Sequence, residues 1–153
     1  MKKRVFIEII SNLMILLFVY TGLIKILHRE TFEIQISKSP YLTDYSIPVS
    51  WAIPILELVA VALLIFQKTR ILGLYLSFAL MTLFTEYIGA MLKYSDYLPC
   101  SCGGIIAKMN WTAHLFFNLF FMLSLIFAIR WEAAFDPKLI AKKKEKPKFS
   151  YNS

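Results

Sequence analysis

Four long apolar runs, separated by polar segments that are alternately long and short, dominate the chain. They extend over Val5 to Leu27, Ile47 to Phe66, Ile71 to Leu92 and Trp111 to Ile129, which are 23, 20, 22 and 19 residues. A helix rises 1.5 Å per residue and about 30 Å of hydrocarbon must be crossed, so each run predicts one membrane-spanning helix. The runs are joined by segments 28–46, 67–70 and 93–110 and followed by a 24-residue tail. The predicted fold class is all-α, an integral membrane four-helix bundle. One membrane domain is expected over 1–135, with a basic, disordered tail from Asp136 onward. The first run follows Lys2, Lys3 and Arg4 as a secretory signal would, but it is too long for a signal core and no small-x-small cleavage pattern follows, so it is expected to remain as an anchor.

Composition narrows the class further. The residues AVILMFWYC make up 58% of the chain and charged residues only 18%, against about 25% charged in ordinary soluble domains. A soluble domain of this length could not hide so much apolar side chain. The 17 Lys and Arg exceed the 10 Asp and Glu, for a net charge of +7. That excess gathers at the ends of the apolar runs rather than along one face, which argues against a nucleic-acid partner and for the lipid bilayer.

The same residues predict orientation. One side receives Lys2, Lys3, Arg4, Lys68, Arg70, Arg130, Lys138, Lys142, Lys143, Lys144, Lys146 and Lys148; the other receives Arg29, Lys38, Lys93 and Lys108. Twelve against four places both termini in the cytoplasm and both longer connections outside, in a multi-pass protein of the bacterial cytoplasmic (inner) membrane. The basic tail reads as an anchor at anionic headgroups, each cation contributing about 1 kcal/mol.

Chemistry is carried by few side chains. Cys100 and Cys102 are the only cysteines and sit in the second outer connection, preceded by Pro99 and followed by Gly103 and Gly104. A disulfide between residues two apart closes almost no loop and stabilises little. A strained, short ring on an oxidising face fits a pair that opens and closes. Asn110 is a candidate N-cap whose helix would bring positive dipole toward the loop and favour thiolate. A soft-metal site on Cys100, Cys102 and His114 and a plain structural bridge remain alternatives.

Ionisable residues within hydrocarbon usually mark a function or a satisfied pair. Lys25, Glu57, Glu86 and His114 all fall in the outer half of their spans, beneath the cysteine connection, whereas Glu8 lies near the cytoplasmic end as an interfacial residue. They are the expected buried polar site or proton relay for dithiol oxidation, or would orient a quinone headgroup. A purely structural Lys25 pair with Glu57 or Glu86, and a helix-to-helix hydrogen bond from His114 and Asn118, are the simpler readings. Pro54, one turn before Glu57, is a candidate kink that would open a cavity there, or an ordinary membrane-helix proline.

In this order, Tyr20-Thr21-Gly22-Leu23-Ile24-Lys25, Pro54-Ile55-Leu56-Glu57 and Asp96-Tyr97-Leu98-Pro99-Cys100-Ser101-Cys102-Gly103-Gly104 resemble the MauE branch of the DoxX-like membrane proteins over roughly residues 5 to 130. The resemblance implies membrane redox work, disulfide formation of the kind needed in methylamine dehydrogenase maturation, and an extracytoplasmic thioredoxin-like partner. It carries to Lys25, Glu57, Cys100 and Cys102. The expected activity is that of a thiol–disulfide oxidoreductase or redox accessory passing electrons to a quinone or other acceptor. A soft-metal transporter and a non-catalytic scaffold are the alternatives. A single cysteine pair and no fused thioredoxin-like domain set the chain apart from quinone-linked enzymes with two pairs.

Overall fold

The structure, a computed structural model, describes residues 2–37, 43–94 and 111–135. Among the described residues, five α-helices run in the order α1 (Lys2–Leu27), α2 (Arg29–Ser37), α3 (Ser46–Ile65), α4 (Arg70–Tyr94) and α5 (Trp111–Phe135), with a 3₁₀ turn at Thr43–Tyr45 before α3. Among the described residues there is no strand. α1, α3, α4 and α5 are each long and apolar enough to cross a membrane.

The four long helices form a ring in which α1 packs on α3 and α5, α3 on α4, and α4 on α5. Neighbours alternate in direction. Phe6 at the start of α1 meets Trp131 near the end of α5, ring centroids 5.2 Å apart, and Gly73 at the start of α4 lies against Leu64 at the end of α3. One end of the bundle therefore carries the start of α1, the α3–α4 turn and the end of α5. At the opposite, α2 end, α1 finishes, α3 begins, α4 finishes and α5 begins.

Side chains at spacings of three and four residues fill the interior, as expected for helices presenting one stripe to their neighbours. On α1 these include Ile7, Met14, Phe18, Thr21 and Lys25; on α3, Ser50, Pro54, Glu57, Val61 and Leu64. Toward the terminal end the core is apolar, built on Ile7, Met14, Leu64, Leu74, Leu80 and Leu125. Large apolar side chains such as Leu16, Ile55, Leu72, Leu83, Phe116 and Phe120 point outward. Water would not tolerate that surface; lipid tails do.

Because lipid is as apolar as the core, helix association rests on close packing rather than on apolar burial. Gly73 shows where it is closest: a Cβ there would lie 2.8 Å from the Leu64 nitrogen and 3.0 Å from the Leu63 carbonyl carbon. The turn between α3 and α4 is tied by the Thr69 hydroxyl, which donates to the Leu63 carbonyl at 3.0 Å and so satisfies one of the orphan acceptors at the end of α3. Gly73→Ala should force the two backbones apart and cost about 1–3 kcal/mol. A lowered midpoint in detergent, read from tryptophan fluorescence, is the expected result; an unchanged one would mean that this crossing is looser than drawn.

Several sequence expectations shift in position. α5 runs to Phe135 rather than stopping at Ile129, because Arg130 and Glu132 end the apolar run without ending a helix they favour. Segment 28–46, read as a plain connection, contains α2. That helix is short, and the side chains it is seen to bury are Phe32 and Ile36, one turn apart, too little for a periodic signal. α3 continues as one helix through Pro54, which is buried against α1. The basic tail from Asp136, the pair Cys100 and Cys102, and Asn110 lie outside the described residues.

Candidate functional site

Near the α2 end the interior turns polar. Glu57, on the inward stripe of α3, is 0% exposed, and Lys25, near the end of α1, is 5% exposed. The Lys25 ammonium donates to Glu57 Oε1 in a buried ion pair. Thr21, one turn before Lys25 and therefore on the same face, places its hydroxyl 3.2 Å from the same oxygen and 3.0 Å from the Leu17 carbonyl. A hydroxyl has one proton, so it serves these two acceptors in turn.

Gly22 explains how α1 reaches the carboxylate. A Cβ at that position would lie 3.3 Å from Glu57 Oε2 and 3.7 Å from the Pro54 carbonyl oxygen; with only a hydrogen there, the α1 backbone fits over the side chain. Glu57 Oε2 itself is buried and has no hydrogen-bond partner among the described residues. The carboxylate thus has one oxygen committed to Lys25 and one uncommitted.

The cation is further held by aromatic faces, with the Phe84 ring centroid 4.5 Å and that of Phe32 5.6 Å from Lys25 Nζ. Ring quadrupoles attract a desolvated ammonium where water cannot. Phe32 belongs to α2, which is pinned to α3 by the Arg29 guanidinium over the Trp51 ring at 5.3 Å and stiffened by the Arg29–Glu33 pair at 2.6 Å. α2 is therefore a cover on the charged pair.

His114, buried on α5, lies within electrostatic reach of Lys25. Asn118, one turn further along the same stripe, is also buried, and its Nδ2 has no partner among the described residues. Lys25, Glu57, Phe84 and His114 come one from each long helix. Of the residues the sequence singles out, the structure brings Lys25 and Glu57 into contact and buries His114 on α5. Glu86 is not part of the site: it stands exposed on the outside of α4, as Glu8 does on α1. Thr21, Gly22, Phe32 and Phe84 join the site without being sequence candidates for it; the usable signals are the four-residue step from Thr21 to Lys25 and the stretch Tyr20 to Lys25 that contains Gly22.

A helical bundle with an inverted, lipid-compatible surface and a fully buried ion pair defines a multi-pass membrane protein with an internal polar site. The chain belongs to the family of the methylamine utilisation protein MauE, whose model matches residues 3–130. That match spans all five helices, up to the last turns of α5. No curated protein and no solved structure matches the chain.

Proposed function

We propose that this MauE family protein works in the bacterial cytoplasmic membrane as a thiol–disulfide redox protein, or as an accessory to one. Cys100 and Cys102 would exchange disulfides with an extracytoplasmic thioredoxin-like partner, and the electrons would pass to a quinone or another acceptor. The observation that carries the reading is the Lys25–Glu57 pair with its uncommitted carboxylate oxygen at the α2 end. The chain leaves α4 at Tyr94 and enters α5 at Trp111 at that same end, and the two cysteines lie between those residues.

Oxidising a dithiol to a disulfide releases two protons with two electrons. A carboxylate with a free oxygen is a group able to take up such protons. The family description supports work on a protein of methylamine metabolism.

Single variants Cys100→Ser and Cys102→Ser, expressed in intact cells and trapped by acid and alkylation, test this reading. One of them should accumulate a mixed disulfide with an extracytoplasmic thioredoxin-fold protein, absent from the double variant. In the reduced native protein both thiols should also react with a membrane-impermeant maleimide. No adduct from either variant, together with labelling only after permeabilisation, would overturn both the role and the orientation.

A further inference from the structure

The two carboxylate oxygens of Glu57 have unlike surroundings, and neighbouring residues of α1 supply both. Oε1 accepts from the Lys25 ammonium and from the Thr21 hydroxyl, the latter at 3.2 Å. Oε2 accepts from nothing among the described residues, although its side chain is 0% exposed. Each oxygen of a carboxylate offers two lone pairs. Lys25 and Thr21 take up both of those on Oε1 and neither of those on Oε2.

α1 also keeps Oε2 clear. Gly22 follows Thr21 directly, and a Cβ on it would stand 3.3 Å from Oε2 and 3.7 Å from the Pro54 carbonyl oxygen. The space that a methyl group would fill is thus bordered by two acceptors. Only a group that donates fits beside them, and the smallest such group is a proton held on Oε2.

The Thr21 hydroxyl has another acceptor at hand, the Leu17 carbonyl oxygen at 3.0 Å. A charged acceptor forms the stronger hydrogen bond, so the ionised carboxylate has first claim on the hydroxyl proton. While Glu57 is charged, Oε1 is therefore full. Binding a proton on Oε1 would displace a donor already there. Binding it on Oε2 displaces nothing, and Oε1, now the carbonyl oxygen of a neutral acid, continues to accept from Lys25.

We propose that Thr21, together with Lys25, closes Oε1 and so makes Oε2 the oxygen on which Glu57 takes up a proton, with Gly22 keeping that oxygen clear. Thr21 is a positioning residue, and the proton is bound by Glu57. The carboxylate gains one proton and loses its charge; no electron moves. The inference rests on the proposed function for the source of the proton, which there is the cysteine pair.

The test uses the full chain in lipid vesicles with both cysteines replaced, Cys100→Ser/Cys102→Ser, so that Glu57 is read apart from the thiol chemistry. The infrared carbonyl band of protonated Glu57 develops as the pH is lowered and is assigned by its absence from Lys25→Met/Glu57→Leu. With α1 unchanged it should be one band at low wavenumber, that of a carbonyl accepting hydrogen bonds, because Oε1 is the carbonyl oxygen. Thr21→Val should add a second band at the higher wavenumber of an unbonded carbonyl, since the proton can then settle on Oε1 as well and leave Oε2 as the carbonyl oxygen. Thr21→Ser should return the single band. A residue that only packed α1 on α3 would move the thermal midpoint and not the number of bands. Gly22→Ala, with a methyl against Oε2, should slow the shift of the band in deuterated water, and exchange as fast as in the native chain overturns the part given to Gly22. A native band at the unbonded position, a Thr21→Val spectrum like the native one, or no Glu57 band at any pH at which the chain stays folded would each overturn the proposal. Mixed-disulfide trapping, which reads the cysteines alone, decides the redox role separately.

Discussion

Lys25→Met should lower the thermal midpoint of the detergent-solubilised protein by roughly 6–12 °C, and Glu57→Leu by a similar amount. The two side chains are 5% and 0% exposed and in direct contact, so neither has water to fall back on. Removing one partner of a buried pair leaves the other uncompensated and costs about 3–5 kcal/mol. At about 2–4 °C per kcal/mol for a chain of this size, even the lower figure gives a shift well outside measurement error. Lys25→Met also leaves the Phe84 and Phe32 faces without their cation, but a thioether packs well on rings, so the loss is assigned to the stranded carboxylate. A single variant at either position with a native midpoint would show that water enters the pair and screens it.

The charged pair was legible in sequence because ionisable residues are scarce in apolar runs and depth follows from residue count. Depth, however, is one coordinate of two. Glu86 lies close in depth to Phe84, yet the step of two residues from one to the other turns the helix by about 200°, and so Phe84 meets Lys25 while Glu86 faces outward. Which side of α4 faces inward is decided by its packing on α3 at Gly73 and on α5, which hydropathy does not report. Gly22 was visible within the family-like stretch Tyr20 to Lys25, but its role needs the carboxylate of another helix at 3.3 Å from where a Cβ would stand. The same limit hid α2: it is nine residues long, buries Phe32 and Ile36, and is held by Arg29 on Trp51 rather than by a periodic apolar face. Span number, by contrast, needed only run length, because a bilayer imposes a minimum that few soluble helices reach.

The double variant Lys25→Met/Glu57→Leu should regain a near-native thermal midpoint while its cysteines reoxidise slowly. Replacing both members of a buried pair with apolar groups of similar volume removes the desolvation cost together with the attraction, and the outcome is commonly neutral or favourable. Stability therefore responds to the balance of the pair, and not to its presence. Proton handling responds to its presence. If Glu57 accepts protons released by the Cys100–Cys102 dithiol, its loss should slow reoxidation after reductant is withdrawn by about 100-fold, the lower end of what a positioned acid–base group contributes. The comparison separates two roles that a single variant confounds, since Glu57→Gln both strands Lys25 and removes the base. Alkylation trapping over time in membranes reads the thiols, and fluorescence melting reads the fold. Recovery of both quantities in the double variant would make Lys25–Glu57 a structural clasp between α1 and α3. Recovery of the midpoint alone requires the carboxylate itself, with its free oxygen beneath the α2 cover, in the chemistry of the cysteine pair.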